Sequence, residues 1–439
     1  MNESKAIAWL RGQLPGLVEK GVLAEASADA IRTHYAHQRR KSGISLALLF
    51  FGVLGSLLIG AGIILLLAHN WQDMGRPMRT VLSLLPLILA QVLSGWILWR
   101  GISGVVWRES AGILHSLAVA ASIALIAQTY HMPGSFDTFL LTWMLLSLPL
   151  VYLHNAVAPL MIYLAGITSW AGYQQSMGEH ALLYWPLAAL AVPFIWRSVR
   201  AERFSPRAAV VQWCAVIAAT CALGIVLEKG MPGLWIPFYT SLFAGLYLAG
   251  GLAGREDEVS GWLRPARLFG MGATLVFVFL LTWEWPWQSI GWRYLRWNQG
   301  LHTVAAWVDG VVGLALLVFV VSMLTTSIRR KRAWDMLLGA SVPVVIVCYS
   351  CAASGAELLA TVLMNVYAMV VGIGLVVQGV REVRLLVFNA GMIVFSALVV
   401  ARFFDSDFSF IAKGLVFIVL GIAFLVCNII LSRRKERLS

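Results

Sequence analysis

Charge is what this chain has least of. Asp, Glu, Lys and Arg make up 12% of its 439 residues, about half the share of a soluble globular domain. That leaves little material for a large water-facing surface. Acids are scarcer still, 21 against 33 Lys and Arg, for a formal net charge of +12. Such a balance can mark a nucleic-acid binder. Here the basic residues sit in short loops between apolar runs and form no continuous groove. They are read as setting orientation and touching anionic membrane lipids. No nucleic acid is expected as a partner.

Cysteine is also sparse. Cys214, Cys221, Cys348, Cys351 and Cys427 all fall inside apolar segments, where a thiol behaves as a small buried hydrophobe and no disulfide framework is expected. Cys348 and Cys351 have CxxC spacing but no second pair. There is no P-loop, no GxSxG and no kinase-like motif. Gly372-Ile-Gly374 lies mid-span and cannot cradle a phosphate. His69, His131, His180 and His302 lack the HExxH type of ligand spacing, so neither a metal nor a cofactor is expected. No signal peptide is evident, because the first 43 residues are polar and basic and the first apolar run is long enough to span.

What the chain does have is long apolar runs. It is 60% hydrophobic, with a mean hydropathy of +0.80. A membrane helix needs roughly 20 apolar residues to cross about 30 Å of hydrocarbon. On that measure the fold class is all-α, a polytopic membrane helix bundle of about 14 spans. They are placed at 44–68, 80–99, 111–128, 138–153, 156–173, 181–196, 208–227, 235–253, 267–284, 304–327, 334–352, 356–380, 385–402 and 411–431. The fourth to sixth are short, and the join at His154-Asn155 is tight enough for a re-entrant pair. With the N-terminus inside, the Lys and Arg divide 26 to 7 of the total 33 in favour of the cytoplasmic side. The positive-inside rule then places both termini in the cytoplasm. Gly52, Gly55, Gly60 and Gly62 in the first span, and Gly250 with Gly254 at the end of the eighth, suit close helix approach within the chain.

Three regions follow: a cytoplasmic helical head at 1–43, a membrane domain at 44–431 and a basic tail at 432–439. In the head, Ile7, Leu10 and Leu14 recur at helical spacing. Pro15 can open a turn and Gly21 can close one. Ser27 and Asp29 suit the start of a second helix. The head reads as a topogenic flank, with a docking site for a cytoplasmic partner as the sharper alternative.

Polar residues at membrane depth are costly, so each is a candidate site. Asp73, Asp137, Glu179, Glu228, Glu284, Asp309, Glu357, Asp405 and Asp407 all fall on the expected outer side, with Asp309 about one and a half turns into its span. None lies near a midplane, which favours an outer polar pocket over a central proton or sodium relay. Between spans nine and ten, Trp283, Trp287, Ile290, Tyr294, Trp297 and Leu301 form one helical stripe, with Arg293 and Arg296 off it. That predicts a helix flat in the headgroup layer, either an aromatic anchor or a lid whose arginines grip an anionic head.

Several segments together resemble a known group, the bacterial predicted membrane proteins of domain of unknown function 2157. They are the helical head with Gly21 and Tyr35, Ala68-His69-Asn70-Trp71 after the first span, and Gln128-Thr129-Tyr130-His131 after the third. Trp143 and Pro149 follow in the fourth span, then Arg402-Phe403-Phe404-Asp405, Gly414, Phe417 and Gly421. The resemblance covers roughly residues 10–155 as the domain itself, with a similar tail. It implies a multi-pass protein of the bacterial inner membrane and supplies no activity.

The candidate outer pocket is therefore Asn70, Trp71, Gln128, Tyr130, His131, Glu284, Arg293, Arg296, Asp309, Glu357, Arg402 and Asp405. The first functional expectation is a transporter or flippase-like protein that binds a solute or lipid head there. The second is a membrane transferase on a lipid-linked substrate, with Asp309, Glu284 or Asp405 as base and Arg293, Arg296 or Arg402 on phosphate. The third is an accessory scaffold subunit.

Overall fold

A computed structural model describes residues 10, 13–38, 71, 73–227, 234–252, 261–288, 290, 304–330, 333–382 and 384–404, with single positions between 418 and 429. Fifteen α-helices are delimited among these residues, with no strand. They are α1 (Glu25–Gln38), α2 (Arg76–Trp99), α3 (Val105–Tyr130), α4 (Phe136–His154) and α5 (Val157–Ser176). Next come α6 (Tyr184–Ala201), α7 (Pro206–Leu227), α8 (Trp235–Gly251), α9 (Pro265–Leu280) and the single turn α10 (Trp285–Gln288). The chain continues with α11 (Val304–Arg329), α12 (Ala333–Gly339), α13 (Ser341–Ala353), α14 (Glu357–Arg381) and α15 (Leu385–Phe404). A 3-10 turn (Gly261–Leu263) precedes α9.

The chain divides into two compact units, residues 1–79 and 80–439. In the first, a helical stretch at 13–19 ends at Gly21, whose φ of 67° lets its N–H turn back to the Val18 carbonyl. Leu14 and Ala28 are buried. The second helix begins at Glu25, two residues ahead of the expected Ser27, with the Ala24 carbonyl accepting from Ser27 and Ala28.

In the second unit, which begins within α2, the helices from α2 to α7 follow one another with short turns, as do α12, α13 and α14. Five of the described turns in this unit hold a left-handed residue: three use glycine (Gly101, Gly178, Gly355), and the other two use His131 (φ 51°) after α3 and Asn155 (φ 48°) after α4. The α4, α5 and α6 region, where a re-entrant pair was an alternative, consists of unbroken helices of 19, 20 and 18 residues. At 1.5 Å per residue these are about 27–30 Å long.

Among the described residues, seven helical segments are long and apolar enough to cross a membrane: Arg76–Trp99, Val105–Tyr130, Phe136–His154, Pro206–Leu227, Val304–Arg329, Asp335–Ala353 and Glu357–Arg381. The protein is a multi-pass membrane protein. The figure of about fourteen spans is not reached among the described residues. The first expected span and most of the last lie outside them, α8 and α9 are only 17 and 16 residues long, and α6 carries Arg197 and Arg200 in its last turns.

Lipid is as apolar as leucine, so oily residues need not point inward, and small residues mark helix contacts instead. On α11, Trp307, Val311, Leu314, Val318 and Val321 are exposed at spacings of three and four, while Ala306, Asp309, Gly313, Val320 and Ser327 are buried. The outward face of this helix is its greasiest one. Where helices touch, backbones meet closely. A Cβ on Gly270 of α9 would lie 2.4 Å from the Tyr247 nitrogen of α8, and one on Gly379 of α14 would lie 2.4 Å from the Phe388 nitrogen of α15.

The interior holds two cores joined by a seam. One, built on α4 to α7, centres on Met144, Tyr163, Ile167, Trp170 and Phe194. The other, built on α8 to α15, centres on Leu248, Trp287, Leu338, Met364 and Tyr367. Leu223, Leu227, Leu242 and Phe243 form the seam, with Tyr239, Phe269 and Phe277 in edge and tilted ring contacts beside them.

Candidate functional site

Asp309 is the most consequential of the expected site residues. It lies in the second turn of α11, on the buried face opposite the Trp307 and Val311 stripe, and is 1% exposed. Neither carboxylate oxygen has a hydrogen-bond partner among the described residues. The sequence places it there by helical phase. Ala306, Asp309 and Gly313 recur at three and four, and Gly313 is small because Phe238 of α8 lies across it, 2.2 Å from where a Cβ would sit. The position is therefore close to the N-terminal end of α8, between packed helices.

The same end of the bundle carries other polar contacts. Asn365 of α14 donates from Nδ2 to the Thr282 carbonyl at 2.9 Å, tying α14 to the chain that leaves α9. Trp287 donates its indole N–H to the Leu281 carbonyl at 2.9 Å. Trp287 and Ile290 are 0% and 4% exposed. Trp287 and Ile290 of the expected stripe therefore pack into the protein core, where the Leu281 carbonyl accepts the indole. The rest of the stripe, with Arg293 and Arg296, lies outside the described residues. Glu284 is exposed and uses its backbone carbonyl to start the α10 turn. Glu357 is the first residue of α14, where its charge suits the positive end of the helix dipole.

Gln128, Tyr130 and His131 stand together at the end of α3. Tyr130 is exposed and shares a 2.9 Å hydrogen bond with Thr80, which links the end of α3 to the start of α2. His131 is exposed and caps α3 by donating its backbone N–H to the Ala127 carbonyl. Gln128 is exposed on the same turn. Trp71, in the first unit, has a buried indole nitrogen with no hydrogen-bond partner among the described residues. Asn70 and Asp405 lie outside the described residues, as does the side chain of Arg402. Among the described residues no three His, Cys, Asp or Glu side chains converge as a metal would need. Cys214, Cys221, Cys348 and Cys351 are free.

Three arrangements escaped the sequence reading. Arg267 of α9 reaches Asp335 of α12 at 3.1 Å, both largely buried, while Tyr247 donates its hydroxyl to the same carboxylate oxygen at 3.2 Å. The guanidinium also lies over the Tyr247 ring, 4.7 Å from its centroid. A lone acid at the head of an apolar helix was the available signal. Second, Glu109 of α3 accepts from the backbone N–H groups of Val157 and Ala158 at 2.8 and 2.7 Å, and so caps α5 from a neighbouring helix. Third, His154 is fully buried at the end of α4, with neither ring nitrogen bonded among the described residues, beside Asn155, which accepts from the Arg207 guanidinium.

Comparison with known proteins reaches the N-terminal third. Residues 15–160 match the family described as predicted membrane protein (DUF2157). The match takes in the helical head and α1 to α4, close to the 10–155 expected from the quoted motifs. It assigns those residues to a membrane-protein family whose activity is unknown. No curated protein and no solved structure matches the chain.

Proposed function

We propose that this protein is transporter-like or flippase-like. In this reading it accepts a solute or lipid head group in a polar site where α11 begins, with Asp309 as the anchoring carboxylate. One observation carries the reading: a carboxylate 1% exposed, inside an apolar helix, with no bonded partner among the described residues. Uncompensated burial of such a group is costly, and ionisable residues in membrane helices mark ligand or ion pathways. A cationic or hydrogen-bond-donating ligand, or a proton, recovers that cost. The reading keeps the outer pocket expected from the distribution of acids, in which Arg293, Arg296 and Arg402 would hold the anionic part of a head group. The transferase reading has less support, because it needs an arginine beside the base and Asp309 has no bonded partner among the described residues.

The test reconstitutes the full chain in liposomes containing NBD-labelled phosphatidylethanolamine, with dithionite as the quencher. Membranes bearing the chain are also treated with dicyclohexylcarbodiimide, which modifies protonated carboxyls buried in apolar surroundings. The expected results are protein-dependent quenching beyond the outer-leaflet share, label at Asp309, and loss of both in Asp309→Asn. Quenching by Asp309→Asn at the wild-type rate removes Asp309 as the anchor. Absence of both protein-dependent quenching and label rejects the reading.

A further inference from the structure

A second site lies at the opposite end of the helices from Asp309. Arg330, just past α11, donates to the Leu252 carbonyl at the end of α8. That end of α11 is about 30 Å from Asp309 along the helix. Beside it is a cavity of about 160 Å³ lined by Val199, Arg203, Phe204, Gln212, Ala249, Gly250, Leu263, Arg264, Ala266 and Arg267. We infer that this cavity binds a phosphate-bearing anion, and that its occupant is the head group of an anionic phospholipid.

Three elements bring the arginines together. Arg203 follows α6, Arg264 precedes α9, Arg267 belongs to its first turn, and the end of α8 passes between them. Two of the guanidiniums are held in place. Arg264 donates to the Gly250 carbonyl at 3.3 Å and lies over the Phe204 ring at 5.9 Å. Arg267 is fixed by Asp335 and Tyr247. A guanidinium is a rigid fork suited to phosphate, and these contacts orient it. Gly250 and Gly251 leave room for this, since a Cβ on Gly251 would lie 2.1 Å from Arg267 Nη1.

Among the described residues the lining carries three arginines, one glutamine and no Asp or Glu, with Asp335 behind Arg267, so it favours an anion. Its size sets the class of ligand. Pockets for drug-sized molecules and cofactors span about 300–1,000 Å³, whereas this one suits a single phosphate with its first substituents. Val199, Phe204, Leu263 and Ala249 give it an apolar side, as a head group with acyl chains requires. Basic pockets between membrane helices bind such heads.

The experiment uses the full-length chain in detergent. Native mass spectrometry measures retention of phosphatidylglycerol and phosphatidylcholine, and calorimetry measures binding of inorganic phosphate. Arg203→Gln with Arg264→Gln is compared with wild type, and Arg203→Gln alone, at an exposed position, guards against misfolding of the double variant. Arg267 is left intact because it holds Asp335. The expected result is retention of phosphatidylglycerol above phosphatidylcholine, weakened at least about tenfold in the double variant and measurably in the single one. Binding of inorganic phosphate that depends on the arginines, with no lipid retained, overturns the lipid assignment. Equal retention of phosphatidylglycerol by all three proteins overturns the site. Neither result bears on Asp309.

Discussion

At the residue scale, Asp309 sets function against stability. A carboxylate buried without a partner lowers the stability of the bundle, and nothing among the described residues compensates it. Replacing it with leucine, which has similar bulk and no polar atom, removes that penalty. Asp309→Leu is therefore expected to raise the thermal unfolding midpoint of the purified chain in detergent by the equivalent of about 1–3 kcal/mol, while any ligand-dependent activity is lost. A lower midpoint would mean that the carboxylate is bonded in the folded protein and is structural. The depth of Asp309 was legible in the sequence, because an acid six residues into an apolar run stands out. The company it keeps was not. Helical phase can place Asp309 on one face but cannot say whether that face meets lipid or protein, and this was decided by Phe238 filling the notch over Gly313.

At the scale of elements, the contacts that matter are made by missing side chains. Hydrophobic periodicity locates membrane helices well and says little about which face packs, because lipid and protein interior reward the same residues. That is why helices α2 to α15 fell near the expected spans while the Arg267–Asp335–Tyr247 link went unseen: it joins residues 68 and 88 positions apart. The same ambiguity misdirected Trp287, whose place in an aromatic stripe looked interfacial until its indole found the Leu281 carbonyl. Glycines give a direct test. Gly379 has the Phe388 backbone where its Cβ would be, whereas Gly95 in α2 has nothing within 4 Å. Gly379→Ala should force α14 and α15 apart and cost about 1–3 kcal/mol, as overpacking does. Gly95→Ala should leave stability unchanged or raise it by about 0.5–1 kcal/mol through helix propensity. SDS titration followed by circular dichroism reads both. Equal effects at the two positions would show that α14 and α15 do not pack as described.

At the scale of the whole molecule, the distribution of cations is the ground for the expected topology, and the structure adds a second role for part of it. Arg264 and Arg267, counted in the sequence among orientation signals, also line a cavity and brace a buried acid, so a basic loop here serves folding as well as insertion. A charge count alone cannot separate those roles, because both favour arginine at helix ends. Orientation is nonetheless testable without knowing the ligand. With 26 of 33 Lys and Arg on one side, the positive-inside rule expects both chain ends and the arginine cavity to face the cytoplasm, and Asp309 to lie toward the opposite side. In a functional background without native cysteines, single cysteines at exposed Arg203, at exposed His180 between α5 and α6, and behind Ser439 should respond differently to a membrane-impermeant maleimide in intact cells. The cysteine at 180 should react within minutes, and those at 203 and after 439 only once the membrane is permeabilised. Labelling at 203 in intact cells would put the arginine cavity outside and invert the molecule. Labelling behind Ser439 with 203 still protected would instead mean an odd number of crossings from α7 onward, with one of the shorter helices α8, α9 or α15 failing to span.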